Sequence, residues 1–153
     1  MGCFKCGAEA TTKQARHSFR RTVEGFTFTA EVDVEACAEC GDVVVPVPLL
    51  LAFDRALACG LARRGPVTGA TLRLIRRAAS LEPADLAVIL GTTVETIASW
   101  EAGRRPVDHA AWLVVAAIAL DALDGPQPLL TRVETLRRSA NEPRSTKLVV
   151  GHS

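Results

Sequence analysis

The chain has 153 residues, a formal net charge of +1 and a composition that is 48% hydrophobic and 23% charged. These proportions are ordinary for a globular protein, so they exclude a disordered or collagen-like chain. The longest apolar run, residues 110–120, is shorter than the roughly 20 residues that a bilayer requires, and the N-terminus has no apolar signal core. We therefore expect a soluble, cytoplasmic protein without a membrane partner.

Charge is distributed unevenly along the chain. Residues 1–48 carry five basic and seven acidic side chains, so the remainder of the chain carries a net positive charge. This asymmetry indicates two domains with different partners.

Four of the five cysteines form two Cys-x-x-Cys pairs, which are Cys3 with Cys6 and Cys37 with Cys40. Two such pairs supply the four thiolates of the closed tetrahedral shell that structural Zn²⁺ sites use. Disulfides, four unrelated thiols and a redox motif are the alternatives. We consider them less favoured, because disulfides are rare in a reducing compartment and a redox pair would not occur twice. The expectation is one structural Zn²⁺ per chain that helps a small module to fold.

The segment between the two cysteine pairs predicts a β-hairpin. Apolar and polar residues alternate over residues 26–35, which is typical of a strand with one buried and one solvated face. Residues 13–19 are a weaker strand candidate, and residues 20–25 are expected to form the turn. Folding back in this way would bring Cys37 near Cys3 and close the metal site.

Two prolines in a short apolar segment, residues 43–48, mark the end of this first module. Apolar residues at spacings of three and four then predict a linker helix over residues 49–66. An all-helical domain is expected over residues 67–138, followed by a flexible tail over residues 139–153. The predicted fold class is α+β, with a zinc-binding β domain of residues 1–48 followed by a repressor-like helical domain.

The helical domain contains a predicted helix-turn-helix. Pro83 in a first turn begins a helix that runs to Gly91, and Thr93 is a candidate N-cap for the next helix, which ends near Gly103. Two short helices joined by a glycine-containing turn are typical of this motif. A helix over residues 71–79 precedes the motif, and two more helices follow it.

Residues 81–106 resemble the helix-turn-helix of phage-repressor-like (XRE-type) regulators. The positions that carry the resemblance are Leu86-Ala87, Gly91, Thr96-Ile97, Trp100-Glu101 and Gly103. Together with the two cysteine pairs, the chain up to about residue 138 is similar to MqsA-type antitoxins with a YgiT-type zinc finger. The resemblance implies that the four cysteines are zinc ligands and that the zinc domain binds a toxin ribonuclease. It also implies that the helical domain forms a homodimer on a palindromic double-stranded operator and represses its own operon.

DNA binding requires cations for the phosphates and side chains that reach base edges. Between Ala78 and Gly103 the chain has no Lys or Arg, and Glu95 and Ser99 stand where MqsA-type proteins show asparagine and arginine. Glutamate can accept a hydrogen bond from cytosine N4, and residues four apart share one face of a helix. We expect DNA contacts from the start of the recognition helix and from flanking arginines, for which a solvated helix face is the alternative. The expected contacts are Thr93, Val94, Glu95, Ser99, Arg73, Arg76, Arg77, Arg104 and Arg105.

A homodimer is also predicted from the residues themselves. The helix over residues 109–123 is apolar on nearly all sides, which is more than a small helical core needs. Self-association would bury the apolar surface of this helix that the core leaves uncovered.

Two other interpretations of the function stay open. The acidic recognition helix favours a protein-interaction module whose helix-turn-helix has lost DNA binding. Glu101 is not counted among the acidic residues that face DNA, because we expect it to stabilise the fold. An enzyme is disfavoured, because the chain has no glycine-rich phosphate loop and no His-Glu-x-x-His motif. Cys59 is interpreted as a small buried apolar residue rather than a nucleophile.

Overall fold

The computed structural model describes residues 2–9, 11–136 and 145–150. Within these ranges, two strands come first, six helices follow, and a third strand comes last. The elements are β1 (Thr12–Val23), β2 (Phe26–Cys37), α1 (Val47–Arg64), α2 (Gly69–Ala78), α3 (Pro83–Leu90), α4 (Val94–Glu101), α5 (His109–Asp124), α6 (Leu129–Leu136) and β3 (Ser145–Lys147). This order confirms the predicted α+β class, with a hairpin first and helices after it.

The hairpin of β1 and β2 is antiparallel and in continuous register over the full length of both strands. Only Glu24 and Gly25 make the turn, with φ values of 49° and 81°. Positive φ at both central residues is the requirement of the tight two-residue turns that match the twist of paired strands. The predicted turn over residues 20–25 is therefore wrong, because the chain reverses within two residues and residues 20–23 continue β1.

One face of the hairpin is apolar, as the alternation in β2 predicts. The buried residues of this face in β2 are Phe28, Ala30, Val32, Val34 and Ala36. Phe53 of α1 packs against the same face and stacks on Phe19 of β1, with ring centroids 4.7 Å apart and 19° between the ring planes. The hairpin is thus held to the helices by an apolar contact as well as by the covalent connection from β2 to α1.

The third strand, β3, pairs in parallel with β2 on the side away from β1. Immediately after it, the N–H of Leu148 donates to the carbonyl of Thr29 over 2.6 Å, and the Leu148 side chain packs against both apolar clusters of the chain. The prediction of a flexible tail is therefore wrong for residues 145–147, which form a strand. The reason is that the neighbouring Leu148 side chain is partly buried beside the sheet. Residues 148–150 follow this strand, and the other parts of the predicted tail, residues 139–144 and 151–153, lie outside the described residues.

The predicted linker helix is α1, and it forms part of the main core. Leu57 and Leu61 are fully buried in the same cluster as residues of α2, α4 and α5. Gly60 allows α1 to approach the sheet closely, since a Cβ at this position would lie 2.8 Å from the ring of Phe28. Sheet and helices therefore pack into one unit through α1.

The helix that holds the longest apolar run, α5, contacts α1, α2, α3 and α6. Three of its seven large apolar side chains, Trp112, Val115 and Leu120, are buried, and Val114 is exposed. The other three, Leu113, Ile118 and Leu123, are half-buried. Neighbouring helices thus cover much of the apolar surface that suggests self-association, and the homodimer stays a prediction.

Within the described part of the chain, no single helix is long and apolar enough to span a membrane. Only α5 and α6 taken together reach the required length, and they are bent by 113° at their junction.

Candidate functional site

The four cysteines of the two Cys-x-x-Cys pairs lie together at the open end of the hairpin. All four sulfur atoms lie within 4.8 Å of one another. Cys3 Sγ is 3.8 Å from Cys40 Sγ, and Cys6 Sγ is 3.9 Å from Cys37 Sγ. A tetrahedral ion with metal–sulfur bonds of about 2.3 Å requires sulfur separations of about 3.8 Å. These residues therefore form a four-thiol cluster that can hold a metal ion.

Each cysteine pair is shaped by the same backbone turn. The N–H of Gly7 donates to the carbonyl of Cys3 over 2.8 Å, and the N–H of Gly41 donates to the carbonyl of Cys37 over 2.9 Å. Both glycines have positive φ, 72° and 73°, which side chains rarely tolerate. The strand register brings the two turns together, because Cys37 ends β2 directly opposite Thr12 at the start of β1.

The thiols of the cluster differ in their affinity for protons, and all are unbridged. Backbone N–H groups of Cys6 and Lys5 lower the pKa of Cys3 to about 7. Although the backbone N–H of Asp42 lowers the pKa of Cys40, desolvation and the neighbouring thiols raise it to about 12. Neighbouring thiolates repel one another, and a shared cation relieves that repulsion, so metal binding is coupled to loss of these protons.

Cys59 lies apart from the cluster, in α1. Its side chain is buried in the main core, and burial raises the pKa of its thiol. A neutral buried thiol is a poor nucleophile, so the structure confirms the interpretation of Cys59 as a small apolar core residue.

The second candidate site is formed by α3 and α4. Gly91 ends α3 in the left-handed conformation, and Thr93 caps α4 by accepting a hydrogen bond from the N–H of Thr96 over 3.2 Å. Leu86 of α3 and Ile97 of α4 are fully buried. The two short helices are therefore fixed on the core, with the turn between them at the surface.

Residues 68–130 match the family model of a helix-turn-helix domain. The chain contains a helix-turn-helix domain. The match runs from the N-cap of α2 to the start of α6 and supports the XRE-like resemblance of this part. It points to a DNA-binding regulator rather than an enzyme. Among curated proteins and solved structures, none matches the chain.

Most of the residues predicted to contact DNA are exposed on this domain. The exposed ones are Thr93, Val94 and Glu95 around the start of α4, Arg73 and Arg77 on α2, and Arg104 and Arg105 after α4. Ser99 is half-buried, one turn beyond Glu95. The arginines thus lie on either side of the α3–α4 unit along the chain.

Arg76 does not belong to this exposed set. Its buried guanidinium contacts both carboxylate oxygens of Glu101 and donates through Nη1 to the carbonyl of Leu81 over 2.7 Å. The prediction that Arg76 contacts DNA is therefore corrected to a structural role, whereas Glu101 stabilises the fold as expected. The sequence held a signal for this, because Arg76 follows Leu72 by four residues and so shares its buried helix face.

The surface of α3 and α4 is apolar and acidic. Its most exposed apolar side chain is Val88, 83% exposed, and the adjoining Ile89 and Val94 are also exposed. The acidic residues of this surface are Glu82, Asp85 and Glu95. Within the described residues of this domain, the exposed cations that could contact a phosphate are therefore the flanking arginines. Sequence reasoning recognised the acidic residues but did not single out the exposed valine and isoleucine of α3.

Proposed function

We propose that this chain is a zinc-stabilised, DNA-binding transcriptional regulator that acts as an MqsA-like antitoxin. The observation that carries the proposal is that one chain joins a four-cysteine cluster, in which two sulfur pairs lie at the spacing of a tetrahedral site, to a helix-turn-helix domain. Either part alone is common, whereas the combination is the one that MqsA-type antitoxins have.

The metal in this proposal is Zn²⁺, because four soft thiolates in tetrahedral geometry are its preferred structural ligands. Four protein ligands leave no position for a reactive water, so the ion has a structural role. Its binding free energy supports the end of a hairpin whose outer face is polar.

The DNA contacts divide into two groups. The first turn of α4 enters the major groove, where Glu95 and Ser99 share a helix face and reach base edges. The phosphate contacts come from four arginines, which are Arg73, Arg77, Arg104 and Arg105. This division follows from the charge of the domain, since α3 and α4 have no cation of their own.

The antitoxin role adds two protein partners. A homodimer would place two copies of α4 about one DNA turn apart on a palindromic operator. The zinc domain would bind the toxin, and the complex would repress the operon that encodes both proteins. These points rest on the resemblance to MqsA-type antitoxins.

The regulator is tested by titrating the zinc-loaded chain with duplex DNA from the region upstream of its own gene, with random DNA as competitor. We expect binding that outcompetes random DNA and weakens as the salt concentration rises. Equal affinity for the two DNAs, or no binding to either, would refute the regulator.

The antitoxin role is tested by co-expression with the neighbouring reading frame. We expect the two products to co-purify, and the chain to relieve the growth inhibition that its neighbour causes alone. A neighbour that neither binds the chain nor inhibits growth would remove the antitoxin role and leave the regulator standing.

A second candidate function is a protein-interaction module whose helix-turn-helix no longer binds DNA. The exposed Val88 and Ile89 beside acidic residues favour it, because apolar side chains without cations suit a protein partner better than phosphates. The same DNA titration separates the two candidates. Binding of a neighbour-encoded protein without any DNA binding would favour this module.

A further inference from the structure

A cavity of about 770 Å³ lies between α1, the end of α5 and β3. It is separate from the cysteine cluster and from the surface of α3 and α4. Its volume falls within the roughly 300–1,000 Å³ typical of ligand pockets, which often occur where two parts of a protein meet. One face of α1 lines it from Pro48 to Arg64, and residues 146–149 form the opposite wall.

The middle of the cavity is apolar and lined by small residues. Ala52 and Ala56 lie one turn apart along α1 and leave space above the helix, whereas the ring of Phe28 occupies the space at Gly60. Leu148 lies across from the two alanines, and Leu51 and Val149 extend the apolar lining toward one opening. An occupant would therefore bury a hydrocarbon part here.

The charged lining of the cavity is mainly cationic. Four cationic residues line it, with Asp124 as the one carboxylate among its lining residues, and Arg63 is paired with Asp124. The ammonium of Lys147 lies 3.3 Å from Glu31 Oε2. Arg55, by contrast, forms no ion pair with any of the described residues. It lies one helical turn from Ala52 and from Cys59, on the face of α1 that lines the cavity. The wall thus presents an arginine that no carboxylate of the described residues neutralises.

We propose that this cavity binds an amphipathic organic anion, of the class of medium-chain carboxylates. The hydrocarbon part lies against Ala52, Ala56 and Leu148, and the carboxylate accepts hydrogen bonds from Arg55. The ligand touches α1, α5 and β3 together, so its binding stabilises the packing of the sheet on the helices. The inference does not depend on the proposed DNA or toxin binding.

The test uses octanoate, 1-octanol and octylammonium, which share one hydrocarbon chain and differ in the charge of the head group. Each is titrated into the zinc-loaded full chain while backbone amide shifts are followed by NMR. We expect saturable binding of octanoate, with shifts centred on Ala56 and Leu148, and at least tenfold weaker binding of the other two compounds.

Two variants and a control sharpen the result. Arg55→Gln should weaken octanoate binding about tenfold and leave 1-octanol binding unchanged, because a charge-assisted hydrogen bond is lost. Ala56→Phe should remove octanoate binding by filling the cavity without a change of charge. The control is Arg20→Gln, at an exposed arginine of β1 outside the cavity, which should bind octanoate like the unaltered chain.

Three results would overturn the proposal. The first is octanoate binding no tighter than octylammonium binding, and the second is unchanged octanoate affinity in the Arg55→Gln variant. The third is the absence of saturable binding by all three compounds. If Ala56→Phe fails to fold, the head-group series and Arg55→Gln decide the question without it.

Discussion

The guanidinium of Arg76 on α2 and the carboxylate of Glu101 at the end of α4 form a two-point ion pair inside the helical domain. Nε lies 2.5 Å from Oε1 and Nη2 lies 3.1 Å from Oε2. The two side chains are only 7% and 12% exposed, and Arg76 also holds the carbonyl of Leu81 before α3. This single side chain therefore ties the first helix of the domain to both helices of the helix-turn-helix.

Removing one partner of this pair should destabilise the chain strongly. We expect Glu101→Gln to lower the free energy of unfolding by about 3 kcal/mol, because it leaves a buried arginine without its counter-charge. Urea unfolding followed by the fluorescence of the two buried tryptophans measures the change. Glu95→Gln, an exposed position, is the control, with an expected change within about 0.5 kcal/mol. A loss below about 1 kcal/mol in Glu101→Gln would contradict a buried, tightly coupled pair.

Loss of the metal should unfold the cysteine end of the hairpin. We expect Cys37→Ser, or treatment of the unaltered chain with a chelator, to release the metal and to remove amide protection from residues near the cluster, because the shell needs all four thiolates. Metal analysis and hydrogen exchange measure the two effects. Cys59→Ala is the matched control and should keep one metal per chain. A chelated chain whose hairpin amides exchange as slowly as before would argue against a structural metal.

The stacked pair of Phe19 and Phe53 should carry much of the attachment between sheet and helices. Phe53→Ala is expected to cost about 3–5 kcal/mol of unfolding free energy, because it removes a buried ring and leaves a cavity. Phe4→Ala removes the same ring at a position that is 96% exposed and should change stability by less than about 0.5 kcal/mol. Similar losses in the two variants, measured by thermal unfolding, would show that α1 does not hold the hairpin.

If the arginines after α4 bind phosphates, their removal should change the salt dependence of DNA binding. The double variant Arg104→Gln with Arg105→Gln should reduce the slope of log affinity against log salt by about 1.8, since each phosphate contact contributes about 0.9. Fluorescence anisotropy at several salt concentrations gives the slope. Arg20→Gln in β1 is the control and should leave it unchanged. An unaltered slope in the double variant would place the phosphate contacts elsewhere on the chain.

Several parts of the fold were readable because they depend on residues that are neighbours along the chain. The alternation in β2 gives a strand with one buried face, and Thr93 caps α4 through a residue only three positions away. The two cysteine turns likewise depend on local glycines with positive φ. The turn of the hairpin was predicted too long, because a register over twelve residue pairs is set by both strands together.

The spacing from Leu72 indicates that Arg76 is buried, but it does not identify its partner, Glu101, which lies 25 positions away. The charge of an arginine predicts an exposed position. Only the packing of α2 against α4 shows that a carboxylate lies inside the domain and pairs with the guanidinium. The sequence likewise predicted an apolar face on α1 but not which elements pack against it. It also did not predict β3, because this strand pairs with β2 across more than a hundred residues.

By itself, the sequence indicated two cysteine pairs suited to hold one ion, the order of strands and helices, and the presence of a helix-turn-helix, since each follows from spacing within short segments. The tertiary structure decided which charged residues are buried, which helix packs against both the sheet and the other helices, and where a cavity remains. These features depend on contacts between distant segments, and the free energy of such contacts comes from burial and paired charges that no local pattern encodes.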